Sequence, residues 1–100
     1  KDKQGEAITL HQLGNMAYVT GDLEEARTFY QESLKIDEEL GDKQGTAITL
    51  AQSSLLEKKA GNLDKAREQI EQAQKIFSEL DIPQTVQTPI YYERLEKKGR

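Results

Sequence analysis

The chain has no cysteine, no tryptophan and only two prolines. No apolar run approaches the roughly 18 residues of a membrane span. Without cysteine there is neither a disulfide framework nor a thiolate metal site, and a reducing cytoplasm is the expected compartment. The start, Lys1-Asp2-Lys3-Gln4-Gly5, does not resemble a secretion signal. Strand signals are nearly absent. A basic surface is lacking as well: the net charge is −4, which argues against a non-specific grip on nucleic acid or anionic lipid. Neither nucleic acid nor membrane is therefore an expected partner.

What the chain does have is itself, written twice. Asp2-Lys3-Gln4-Gly5 returns as Asp42-Lys43-Gln44-Gly45, and Ala7-Ile8-Thr9-Leu10 as Ala47-Ile48-Thr49-Leu50. Gly21, Leu23, Ala26 and Arg27 return as Gly61, Leu63, Ala66 and Arg67. A fixed period of about 40 residues is the signature of stacked repeats, in which no unit buries its apolar face alone. The expected division is 1–40, 41–80 and a partial third unit over 81–100, in a chain that begins at a trimmed repeat boundary of a longer array.

Helical spacing runs through both units. Ala7, Leu10, Leu13, Gly14 and Ala17 form one stripe of a helix over roughly 3–19, with Asp2 as N-cap. Gly21 stops it, and Asp22 with Glu25 forms a capping-box pattern for the next helix. That helix carries an inward stripe of Leu23, Ala26, Tyr30 and Leu34, extending to Ile36 and Leu40. The second unit repeats the plan over about 43–60 and 63–80, with Asn62 as cap and Leu63, Ala66, Ile70, Ala73, Phe77 and Leu80 inward. Such short connections make consecutive helices antiparallel neighbours.

After Leu80 two prolines interrupt the pattern. One reading caps a short final helix at Thr88, with Pro89 at its first position and Ile90, Tyr91, Arg94, Leu95 and Lys98 on one side. The other is a single helix from near Pro83, kinked at Pro89.

The run Ala7 to Gly14-Asn15, then Tyr18, Gly21-Asp22, Glu25-Ala26, Tyr30-Gln31 and Leu34 resembles the tetratricopeptide repeat family. The likeness is to its long-period variant, as in bacterial and archaeal signalling arrays, kinesin light chains and spindle-orientation adaptors. The resemblance implies an all-α superhelix of helix-turn-helix pairs with a terminal capping helix, the first helix of each pair lining a concave groove. It also implies a cytoplasmic signalling or assembly scaffold that binds a protein or peptide partner and needs no cofactor. On that reading the groove carries Ile8, His11, Asn15 and Tyr18 in one unit and Ile48, Ala51, Leu55 and Lys58 in the next. The lysine-and-asparagine carboxylate clamp of the chaperone-binding members is not reproduced. A structural spacer or sensor segment of a larger regulator is the alternative, and weak self-association through exposed array ends is a further expectation.

Catalytic residues are not expected. His11, the only histidine, has no spaced partners for catalysis or for a metal, which leaves a groove contact or a solvated side chain. Ser53-Ser54 lacks a strand-turn-helix elbow and reads as small-residue packing. Asp37-Glu38-Glu39 reads as a solvated face. Asn15 is open between partner contact and a helix-helix hydrogen bond. Glu57 replaces an apolar residue, and must reach solvent or a partner to escape a cost of several kcal/mol. The basic end, Arg94, Lys97, Lys98 and Arg100, suits a helix C-terminus.

Overall fold

The computed structural model describes residues 2–81 as four helices. They are α1 (Lys3–Thr20), α2 (Leu23–Leu40), α3 (Lys43–Lys59) and α4 (Leu63–Glu79). The expected final helix, with Pro83, Pro89, Ile90, Tyr91 and Leu95, lies outside the described residues.

Local chemistry explains the boundaries. The carboxylates of Asp2, Asp22 and Asp42 each accept the amide N–H three residues on, from Gly5, Glu25 and Gly45, which satisfies an orphan donor of the first turn. Gly21 and Gly41 take φ of 89° and 69°, left-handed values that a side chain disfavours. Paired backbone bonds close the preceding turn at both: Gly21 to Tyr18 and Asp22 to Ala17, then Gly41 to Glu38 and Asp42 to Asp37. The amide of Asp22 is thus already occupied, so Glu25 has no return bond to make. Asn62 departs from expectation. It precedes α4 but gives no side-chain cap, because its amide donates to Glu57 Oε1 at 2.8 Å. A buried carboxylate needs the donor more than an exposed helix end that water can solvate.

Consecutive helices pack side by side, and α1 also touches α3. One core joins Ala17, Ala26, Tyr30 and Leu56; the other joins Ala47, Leu50, Ala51, Ile70, Ala73 and Phe77. Gly14 meets the ring of Tyr30 so closely that a Cβ there would lie 2.6 Å from Cε1. In the second pair the equivalents are Ser54 and Ile70, a larger residue matched by a smaller one. Ser54 turns its hydroxyl onto the carbonyl of Ala51 at 2.6 Å, which satisfies it within its own helix.

The inward stripes are shorter than expected. Leu40, Leu63 and Leu80 are exposed, since they lie at helix ends where the facing helix has already turned away. Leu13 is exposed too, on a face of α1 that no described helix covers, whereas its equivalent Ser53 on α3 is buried against its neighbours. Polar residues take places on the stripe instead: Ser33 and Asp37 follow Tyr30 at helical spacing and are buried.

Candidate partner-binding site

The strip expected from the sequence runs along α1 and α3, and its members meet different fates. Ile8 and Ile48 are exposed and border one cleft together with His11. The His11 ring is half-buried, with Nδ1 3.3 Å from Thr49 Oγ1 and its centroid 5.7 Å from that of Tyr30. Burial lowers its pKa. Asn15 makes the helix-helix bond, accepting from the Tyr30 hydroxyl at 2.5 Å. Burial pushes that phenol up to about 12, with Tyr18 adding a smaller rise. Tyr18 is half-buried, and the Lys59 ammonium stands 5.0 Å above its ring, a second link from α1 to α3. Leu55 and Lys58 are half-buried, Leu55 against the second core. Ala51 is a correction. It is fully buried in that core, because α3 is enclosed by both α2 and α4, and it offers a partner nothing.

Two buried carboxylates lie on either side of this strip. Glu57 is 1% exposed and receives the Arg27 guanidinium in a bidentate pair, Nε to Oε2 and Nη2 to Oε1, each at 3.0 Å. Asn62 adds its amide, and Lys65 Nζ stands 3.7 Å from Oε2. The third guanidinium nitrogen reaches Glu24 at 2.8 Å. Bonding to Arg27 outweighs burial and holds the Glu57 carboxyl below its ordinary range, while Arg27 is raised. Glu57 therefore finds the partner its position demanded. The signal was in the sequence: Arg27 stands one helix upstream, and Glu57 occupies the place of Ala17.

The second carboxylate was missed. Asp37, read as part of a solvated run, is 5% exposed. Its Oδ2 accepts from the Thr49 hydroxyl at 3.2 Å. With its one proton on Asp37, the Thr49 oxygen is left to accept from His11 Nδ1 in the tautomer that is protonated there. The chain His11–Thr49–Asp37 thereby ties α1 to α3 to α2. Its order is wrong for nucleophilic catalysis, which needs the imidazole between hydroxyl and carboxylate. Burial raises the Asp37 pKa, opposed by the Thr49 bond and assisted by the charges of Asp42 and Glu38. Helical spacing from Tyr30 through Ser33 to Asp37 was the signal that could have found it. Ser33 is already spent, donating to the Ala7 carbonyl at 2.9 Å.

Asp37 floors a cleft of about 160 Å³ between α1, α2 and α3, walled by Ala7 and His11 and opening between Ile8 and Ile48. No group of three potential metal ligands occurs among the described residues. Nor is any described helix long and apolar enough to cross a membrane. No curated protein and no solved structure matches the chain. A family model described as tetratricopeptide repeat does, over residues 5–79, a span that reaches all four helices. With its paired helices and the close approach of Gly14 to Tyr30, the chain belongs to the tetratricopeptide repeat family.

Proposed function

We propose that the chain is a non-catalytic scaffold, part of a cytoplasmic signalling or assembly protein, whose α1–α3 face receives a peptide or helical segment of a protein partner. Domains of this family generally mediate protein–protein interactions. The observation that carries the reading is the pair Ile8 and Ile48. They are equivalent residues of adjacent helices, both exposed and both at the mouth of one cleft. Exposed aliphatic side chains beside half-buried polar ones suit a surface that orders little on binding. Asn15 contributes its amide nitrogen, its oxygen being held by Tyr30. Farther along, Leu55 and Lys58 suit an aliphatic side chain flanked by a carboxylate. Leu13 and Met16, exposed on the uncovered face of α1, are the place for weak self-association, read by light scattering at high concentration.

A spacer role is the second reading, and the Arg27–Glu57 clamp favours it, because it locks the first helix pair to the second. Affinity capture with the wild-type chain and an Ile8→Asp/Ile48→Asp double variant separates the two. Both sites are exposed, so the helix signal in circular dichroism should hold. Partner binding should weaken by about 1–2 kcal/mol or more, as charge replaces aliphatic contact. If the variant retains every partner at wild-type strength, the groove fails and the spacer replaces it.

A further inference from the structure

The floor of the cleft holds two carboxylates, each with one oxygen engaged and one free. Asp37 Oδ2 takes the Thr49 hydroxyl, and Asp42 Oδ1 takes the Gly45 amide at 2.9 Å. Among the described residues the other two oxygens, Asp37 Oδ1 and Asp42 Oδ2, accept no hydrogen bond, and no cationic side chain lies within ion-pair distance of either. They converge. A Cβ placed on Gly45 would lie 2.9 Å from Asp37 Oδ1 and 2.6 Å from Asp42 Oδ2. The two free oxygens therefore lie close beside Gly45, near enough to each other for one ammonium to bridge them at ordinary hydrogen-bond lengths. The first helix pair shows what the second adds. At Gly5 the three atoms nearest the same point all belong to Asp2, whereas at Gly45 they come from two carboxylates.

Like charges brought together, one of them buried, are costly unless a cation joins them. Elsewhere in this molecule the same demand is met: Glu57 has Arg27, Asn62 and Lys65. At Asp37 it is not. The exposed lining of the cleft is mostly apolar, with Ala7, Ile8 and Ile48 beside the polar Gln4, His11 and Gln12, which suits an alkyl stem. We propose that this cleft receives a lysine side chain of the partner, its stem between Ile8 and Ile48 and its ammonium on Asp37 Oδ1 and Asp42 Oδ2. Lysine fits better than arginine. A compact ammonium satisfies single oxygens from two carboxylates, whereas the planar guanidinium fork is matched by both oxygens of one. The proposal rests on the α1–α3 face being the partner surface, and it assigns the chemistry of one position there.

Two short peptides test it on the intact chain: acetyl-Leu-Lys-Ala-amide, and the same peptide with norleucine for lysine, which keeps the stem and removes the charge. At millimolar concentration the lysine peptide should move the amide resonances of Gly45 and Thr49 and the carboxyl carbons of Asp37 and Asp42. The norleucine peptide should bind at least about tenfold more weakly. Asp37→Asn keeps the acceptor for Thr49 and should weaken the lysine peptide by a similar factor. Gly45→Ala should do the same from the other side by forcing the two oxygens apart, so one variant serves if the other fails to fold. Equal binding of both peptides would overturn the lysine site while leaving an apolar groove. The same shifts from magnesium chloride alone would overturn it in favour of a metal ion. Silence at Gly45 with both peptides would also overturn it, and the groove would then be judged by the Ile8→Asp/Ile48→Asp capture alone.

Discussion

Glu57 and Asp37 are both carboxylates buried between helices, and they have been treated in opposite ways. Glu57 is surrounded by donors from α2, from α4 and from the turn between α3 and α4. Among the described residues, Asp37 has a single neutral hydroxyl and a neighbouring negative charge. One is held below the usual carboxylate range and the other above it. Burial alone therefore says little about what a charged residue is for. The partners decide: a fully satisfied carboxylate is a joint between helices, and one left with few partners among the described residues is the proposed contact for a ligand.

The largest expected effect comes from breaking the joint. Arg27→Met leaves Glu57 buried without its bidentate partner and should destabilise the fold by about 3 kcal/mol, near the low end of such losses because Asn62 and Lys65 remain. Adding Glu57→Ala, which restores the residue type of Ala17, should recover most of it. Urea unfolding of the single and double variants reads both. A single variant as stable as wild type would mean that the clamp holds nothing.

Asp37→Asn should act in the other direction. The amide still accepts from Thr49 while the uncompensated charge is gone, so stability at neutral pH should rise by ~0.5–1 kcal/mol. A loss of stability in the same urea experiment would show that Asp37 is already neutralised in the free protein.

Stability against pH sharpens the contrast. Because the folded-state pKa of Glu57 is lowered, its contribution is complete above the ordinary glutamate value of about 4.3 and drains as pH falls through the lowered one. Asp37 is raised, so its folded form binds the proton first and stability falls as pH climbs from about 3.9 through the raised value. His11, lowered by burial, costs stability as pH falls from about 6.5 towards its own value. Melts across the acid range should therefore show Asp37→Asn gaining over wild type as pH rises, and Glu57→Gln losing its disadvantage as pH falls. Parallel curves for all three proteins would contradict both assignments.

The other donors around Glu57 matter less than Arg27. Asn62→Ala removes one of its donors and should cost about 1 kcal/mol. Lys65→Met, at a half-exposed ammonium 3.7 Å away, should change stability by less than about 0.5 kcal/mol. A reversal of that order would place the weight of the cluster on the wrong side chain.

Much of the scaffold was legible because short-range rules carry it. The aspartate caps and the glycine stops are set by neighbours in sequence, and the buried stripes by spacing along one helix. What escaped depends on which helix lies opposite. Leu13 and Ser53 hold equivalent positions, yet one is exposed and the other buried. Ala51 left the expected strip for the same reason. Asn62 has the composition of a cap but answers to a carboxylate five residues back. Asp37 was hidden by its neighbours Glu38 and Glu39, which are solvated, although its spacing from Tyr30 and Ser33 put it on the inward stripe.

The carboxyl carbon resonances of Glu57 and Asp37, followed through an acid titration of the folded chain, test the central contrast most directly. Glu57 should titrate below the ordinary carboxylate range and Asp37 above it. If the two titrate together, or in the reverse order, the division into a satisfied joint and an unsatisfied site is wrong.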